Sequence, residues 1–85
     1  MPQTERIVKM KGLEEEKVAK EFGAFIRVAR ELKGLKQEEV AELAGMSRSS
    51  YGHIETGVRE IYLKKALKIC HVLGLSLGDF EKFLG

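Results

Sequence analysis

The chain has 85 residues, enough for one compact domain and too few for two. Hydrophobic residues make up 44% and charged residues 33% of the sequence, which favours a soluble globular protein over a disordered or membrane one. No apolar run approaches the ~20 residues of a membrane-spanning helix, and the N-terminus lacks a signal-peptide core, so we expect no membrane association and a cytoplasmic location.

Histidine and cysteine are too sparse to form a recognisable metal site. Cys70 is the single cysteine, and its apolar helical surroundings predict a reduced core residue. His53 and His71 have no second cysteine or other ligand at the spacing of a zinc site. We therefore expect neither a metal nor a cofactor.

The formal net charge is only +2, but the charges are distributed unevenly. Residues 47–68 hold five Lys or Arg and two Glu, whereas residues 13–21 hold four Glu and two Lys. The positive field is therefore expected to come from the segment 47–68.

Five helical patterns follow one another, joined by short segments that contain glycine, and no strand pattern appears after residue 12. The sequence therefore predicts an all-α protein. The first helix is expected from about Glu14 to Lys33, with Gly34 as its stop. Its apolar residues recur at spacings of three and four, namely Val18, Phe22, Ile26, Ala29 and Leu32.

The second helix is short, begins near Gln37 and ends at Gly45. Its inward-facing residues are expected to be Val40, Ala41, Leu43 and Ala44. The third helix is predicted to begin after an N-cap at Ser47, to run to Thr56 and to stop at Gly57. It has a glycine inside it, Gly52, which costs ~1 kcal/mol relative to alanine. Its composition therefore indicates selection for something besides helix stability.

The fourth helix carries an apolar stripe that ends at Gly74, made of Leu63, Ala66, Leu67, Cys70 and Leu73. The fifth helix is predicted to begin at Ser76, which forms a capping box with Asp79 three residues later. Its apolar residues are Leu77, Phe80, Phe83 and Leu84.

A helical wheel divides the third helix into two faces. Tyr51 and Ile54 point to one side, and the opposite face is small, polar and partly cationic, being formed by Arg48, Ser49, Gly52 and His53. A short helix, a three-residue turn with glycine and a second helix with such a face form a helix-turn-helix pattern. In that motif the second helix enters the DNA major groove.

The segments IRVARELKGLKQEEVAELAGMSRSSYGHIETGVRE and LKKALKICHVLGLSLGDF resemble the lambda-repressor-like, Cro-type (XRE) helix-turn-helix family. The resemblance implies a compact five-helix DNA-binding domain at residues 21–85. Residues 1–20 would form an N-terminal arm and an extension of helix one. The resemblance further implies a transcriptional regulator that is not an enzyme. This regulator would be a dimeric repressor that binds palindromic double-stranded DNA operators.

The resemblance also assigns roles to residues. Gln37 matches a glutamine that binds a backbone phosphate and braces the recognition helix, although it can equally serve as an N-terminal capping residue. Arg48, Ser49 and His53 match positions that read base edges. For Arg48 and His53 the alternative is a solvated surface side chain. The complete set of expected DNA-binding residues is Gln37, Ser47, Arg48, Ser49, Gly52, His53, Arg59 and Lys64, with Lys65 as an alternative to Lys64.

Arg30 and Glu55 match a family pair that joins helix one to helix three by a salt bridge. Both residues follow a core position directly, which agrees with a structural pair. Tyr51 departs from the family, which usually has an aliphatic residue there, so its hydroxyl is expected to reach solvent, a phosphate or a partner group. Ile61 and Val58 replace a common proline and a frequent cation of the family.

The fifth helix has more apolar surface than one side of a short terminal helix needs. We expect its apolar residues to form a homodimer interface, and the alternative is that all of them complete the monomer core. The dimer-interface residues under the first reading are Leu77, Phe80, Phe83 and Leu84.

Two further questions stay open in the sequence. An antitoxin-like module that covers a toxin, with DNA binding secondary, is the alternative to a regulator. Arg6, Lys9 and Lys11 suit an arm that reaches DNA, a tail, or a strand that pairs with a second subunit.

Overall fold

The computed structural model describes residues 15–85. Within them the chain forms five α-helices and no strand, as the sequence predicts. The helices are α1 (Glu15–Leu32), α2 (Gln37–Leu43), α3 (Arg48–Thr56), α4 (Leu63–Leu73) and α5 (Leu77–Leu84). The predicted helix start at Glu14 and the predicted arm with Arg6, Lys9 and Lys11 lie outside the described residues. No helix in residues 15–85 is long and apolar enough to cross a membrane.

Local hydrogen bonds explain where α3 and α5 begin. The Ser47 hydroxyl accepts the backbone N–H of Ser50 at 3.0 Å, which confirms Ser47 as the N-cap of α3. At α5 the Asp79 N–H donates to Ser76 Oγ at 3.1 Å, while the Ser76 N–H donates to Asp79 Oδ2 at 2.9 Å. The predicted capping box is therefore confirmed.

The core lies between α1, α2, α3 and α4. Its most deeply buried large side chains come from all four helices and are Ile26, Val40, Tyr51, Ile69 and Leu73. An aromatic cluster joins α5 to α1. The ring centroids of Phe22 and Phe25 each lie 5.3 Å from that of Phe80, and the centroids of Phe25 and Phe83 are 5.4 Å apart. This cluster holds the last helix on the domain.

Four leucines predicted to face inward are exposed instead. Their exposed fractions are 83% for Leu32, 68% for Leu43, 64% for Leu63 and 47% for Leu67. The predictions were wrong because periodicity locates an apolar side of a helix but not how far neighbouring helices extend along it. Conversely, Phe25 and Ile69 are buried although the predicted stripes omitted them.

The backbones of α1 and α3 meet without side chains between them. A Cβ atom added at Gly23 would lie 2.3 Å from the Glu55 carbonyl oxygen and 2.5 Å from that of Ile54. Gly57 ends α3 with φ of +70°, and a Cβ there would lie 2.6 Å from the Cα of Lys20. The two glycines therefore let α1 pass directly over the C-terminal end of α3.

Candidate nucleic-acid interface

Helix α3 has one buried side and one accessible side. Tyr51, Ile54 and Glu55 are buried, whereas Arg48 and Ser49 are exposed. Gly52 and His53 are partly exposed on the same accessible side. The structure thus brings the four residues of the predicted outer face together on one surface of a single helix.

A buried ion pair fixes α3 to α1. The Arg30 Nε donates to Glu55 Oε2 at 2.6 Å, and the Arg30 Nη2 donates to Glu55 Oε1 at 3.2 Å. The side chains are only 12% and 2% exposed, respectively. The third donor of the guanidinium, Nη1, binds the Leu35 carbonyl oxygen at 2.7 Å. Arg30 therefore links α1, the α1–α2 connection and α3 through one rigid group.

Gln37 completes this network from α2. Its Nε2 donates to Glu55 Oε1 at 2.9 Å, so the first residue of α2 is tied to the last turn of α3. Its Oε1 would lie 3.8 Å from a Cβ atom placed at Gly52. The Gln37 amide therefore lies beside the accessible face of α3, and it braces that helix whether or not it also contacts a ligand.

The Glu55 carboxyl is held in its ionised form. Burial alone would raise its pKa, but the hydrogen bonds from Arg30 and from the Gln37 amide, together with the positive charge of Arg30, outweigh burial and lower the pKa below its ordinary value. Because the folded-state pKa is depressed, the stabilisation is present above the unfolded-state pKa and is lost as the pH falls through the folded-state pKa.

We therefore expect the wild-type free energy of unfolding to decrease between about pH 5 and pH 2 by more than that of Glu55→Gln. The variant keeps a hydrogen-bonding side chain at this position but cannot titrate. Urea unfolding at several pH values measures the difference between the two proteins. Parallel pH profiles for both proteins would show that Glu55 does not couple protonation to folding.

The Tyr51 hydroxyl reaches neither solvent nor a hydrogen-bonding partner among residues 15–85, contrary to the prediction from the sequence. The residue is fully buried, and its hydroxyl oxygen makes no hydrogen bond among the described residues. Burial, followed by the adjacent Glu55 carboxylate, raises the pKa of the phenol well above its ordinary value. Tyr51 lies on the buried side of α3 with Ile54 and Glu55, so its ring fills the core beside the ion pair.

A cleft lies next to α3 where the α3–α4 connection returns to the domain. Its volume is about 380 Å³, and Ser50, Arg59 and Lys65 bring polar groups to it. Glu60 also lines this cleft, together with Ile54, Ile61 and Tyr62. Lys64 is exposed on α4 but does not line the cleft. Of the two lysines considered from the sequence, Lys65 is thus the one that shares a surface with Arg59.

The predicted dimer-interface residues divide into two kinds. Phe80 packs against the core, and Leu84 is partly buried. Leu77 and Phe83 each remain 41% exposed. The monomer core thus uses part of the apolar surface of α5 and leaves the rest accessible.

A family model described as helix-turn-helix matches residues 26–80, which include α2 and α3 and most of the rest of the domain. The chain belongs to the XRE-type helix-turn-helix family. The resemblance stated from the sequence is thereby confirmed.

The chain is similar in sequence to a curated bacterial protein. An SPbeta prophage-derived uncharacterized HTH-type transcriptional regulator, YonR of Bacillus subtilis (strain 168), is 36% identical over 55 residues. The match covers 65% of this chain and 51% of YonR, so the chain spans about half the length of this curated relative.

Two solved structures superpose on most of the domain. The clp gene regulator ClgR from Corynebacterium glutamicum is 29% identical, with a TM-score of 0.74, over 78% of this chain and 70% of that one. The restriction-modification controller protein C.AhdI from Aeromonas hydrophila is 35% identical, with a TM-score of 0.69, over 73% and 94%.

Sequence reasoning missed two parts of this site. Gly23 was not singled out, although its lack of a side chain sets the distance between α1 and α3. The Leu35 carbonyl was missed as well, although it accepts from Arg30. Both contacts join residues through backbone atoms, for which side-chain chemistry gives no signal.

Proposed function

We propose that the protein is a sequence-specific, double-stranded-DNA-binding transcriptional regulator, a dimeric repressor that reads the major groove with α3. The observation that carries this proposal is that α3 is anchored on one side and exposed on the other. Its inner side is fixed by Arg30 and Gln37 through Glu55, while Arg48 and Ser49 stand exposed on the other side. A helix held in this way can present side chains to base edges without losing conformational entropy when it binds.

Base reading is assigned to the outer face of α3. The Arg48 guanidinium can donate two hydrogen bonds to O6 and N7 of guanine, and the Ser49 hydroxyl can donate or accept. His53 lies one turn after Ser49 on the same side and is partly exposed, and we assign it to a base edge or a phosphate. Gly52 has no side chain, which lets the α3 backbone approach the DNA closely.

Phosphate contacts are assigned to both ends of the motif. Gln37 and Ser47 stand at the starts of α2 and α3, where free backbone N–H groups favour an anion. Arg59 and Lys65 share the cleft beside α3, and Lys64 is exposed on the first turn of α4. The N-cap of α4, Tyr62, offers its free N–H groups no side-chain acceptor, so a phosphate oxygen can take that place.

Arg48→Ala tests the base-reading role. We expect it to weaken binding to a site selected from a random DNA pool by ~1–3 kcal/mol and to relax the base preference at one position. Lys33→Ala is the matched control, because Lys33 is an exposed cation beside the end of α4 rather than on α3. Electrophoretic mobility shifts with selected and random duplexes measure both effects. Equal affinity for selected and random DNA in the unaltered protein would favour the antitoxin-like alternative.

A two-fold dimer would place two α3 helices about 34 Å apart, one turn of DNA, on a palindromic operator. The exposed remainder of α5 supports this arrangement. We expect Leu77→Gln to convert the dimer to a monomer in sedimentation at tens of micromolar. Leu32→Gln is the matched control because it makes the same change at an exposed leucine of α1, and it should leave the dimer intact. A native protein that stays monomeric at this concentration would contradict the dimer.

A further inference from the structure

A second apolar surface lies between α2 and α4, away from the residues assigned to DNA. It is a shallow groove of about 390 Å³ in which Leu43 and Leu67 stand on opposite sides. These leucines are 68% and 47% exposed, although they belong to helices that pack on the core with their other sides. Neither α3 nor α5 contributes a residue to this groove. It is therefore separate from both surfaces used in the proposed function.

The two helices that flank the groove carry opposite charges. The charged side chains of α2 are all carboxylates, from Glu38, Glu39 and Glu42. Helix α4 has no acidic residue, and its Lys68 lines the groove beside His71, whereas Lys64 and Lys65, which we assign to DNA, do not line it. The groove thus has an acidic helix on one side, a basic helix on the other and exposed leucines on both.

This arrangement is complementary to itself. A two-fold rotation brings α2 of one copy against α4 of another, so that each acidic helix meets a basic one and both pairs form at once. Leu43 and Leu67 of both copies are then removed from water between the paired helices. Residues 1–14 suit the groove less well, because they contain three cations and two acids and thus offer α4 no acidic surplus.

We propose that the groove between α2 and α4 joins two copies of this chain around a two-fold axis. The contact is independent of DNA and of α5, so it can link two α5-mediated dimers to each other. Exposed charges act over about 10 Å at moderate salt, so the association depends on the charge of each helix rather than on one fixed pair.

Charge exchange between the two helices tests the contact. Because each α2 faces the α4 of the other copy, one substitution alters both contacts. Lys68→Glu puts two acidic residues at each contact and Glu42→Lys puts two lysines there, and each variant should weaken self-association at least ~10-fold. An equimolar mixture of the two variants restores opposite charges at both contacts, and so does the double variant. Both should therefore associate like the wild type. Sedimentation velocity, run in the Leu77→Gln background, measures this step without any contribution from α5.

Lys33→Glu is the control, because it reverses an exposed charge outside the groove. It should leave the association unchanged, whereas raising the salt from about 50 mM to 500 mM should weaken it. Failure of the mixture to recover would show that α2 of one copy does not face α4 of the other, and would overturn the proposal. A wild-type groove that shows no association up to about 500 μM would overturn it too, with the DNA-binding proposal unaffected.

Discussion

Glu55→Ala is expected to lower the free energy of unfolding by about 3–5 kcal/mol. The substitution leaves the Arg30 guanidinium, whose side chain is only 12% exposed, without its carboxylate partner. It also removes the acceptor of the Gln37 amide, so two polar groups lose hydrogen bonds at once. The cost comes chiefly from the charge left in the protein interior rather than from the lost attraction itself.

Glu31→Ala is the matched control for this prediction. Glu31 also approaches the Arg30 guanidinium, at 3.9 Å, but its side chain is 62% exposed. Its removal should therefore cost less than ~1 kcal/mol. Urea unfolding followed by circular dichroism at neutral pH compares the two variants. Similar losses for Glu31→Ala and Glu55→Ala would show that burial of the Arg30–Glu55 pair is not what makes it important.

The double variant Arg30→Ala, Glu55→Ala separates the two contributions. If the uncompensated Arg30 charge dominates the cost of Glu55→Ala, removing Arg30 as well should recover part of the loss. The remaining deficit then reports what the network contributes beyond satisfying its own charges. Gln37, Leu35 and α3 would all be less well fixed in that variant, so we expect it to bind DNA more weakly than its stability alone implies.

Features determined by neighbouring residues could be predicted from the sequence. The α3 start at Ser47, its end at Gly57 and the Ser76–Asp79 capping box depend on hydrogen bonds and backbone angles within a few residues. Burial depends on distant residues, so the exposure of Leu43 and of Leu67 could not be obtained from helical spacing.

The site shows the same division. The wheel correctly separates Arg48 and Ser49 from Tyr51 and Ile54, since all four belong to one regular helix. The position of the Tyr51 hydroxyl could not be predicted, because it lies near Arg30 of α1 as well as Glu55 of its own helix. The pairing of Arg30 with Glu55 was expected from the family resemblance and is present in the structure. Their further contacts with Gln37 and Leu35 could not be predicted, because they join side chains and backbone from separate elements.

Gly23→Ala is expected to destabilise the protein by about 2–3 kcal/mol, although alanine is the better helix former. The new Cβ would lie within 2.7 Å of three backbone atoms, the Ile54 and Glu55 carbonyl oxygens and the Glu55 carbonyl carbon. Backbone atoms at the end of α3 cannot rotate away as the tip of a side chain can. Helices α1 and α3 must therefore separate, which also strains the Arg30–Glu55 pair that joins them.

Gly52→Ala makes the same substitution inside a helix where there is room. The nearest atom to its new Cβ is Gln37 Oε1, at an ordinary contact distance of 3.8 Å. We expect this variant to gain about 0.5–1 kcal/mol of stability from helix propensity. It should nevertheless bind DNA more weakly, because the methyl group stands on the α3 face that we assign to the major groove.

Thermal and urea unfolding of the two variants, together with DNA titrations of Gly52→Ala, measure these opposite effects. Equal stability changes at positions 23 and 52 would show that the close approach of α1 to α3 tolerates a methyl group. A gain in both stability and DNA affinity for Gly52→Ala would mean that the glycine is not needed for close contact with DNA. The two glycines would then differ in packing alone, and the base-reading surface would have to be centred on Arg48 and Ser49, at the start of α3.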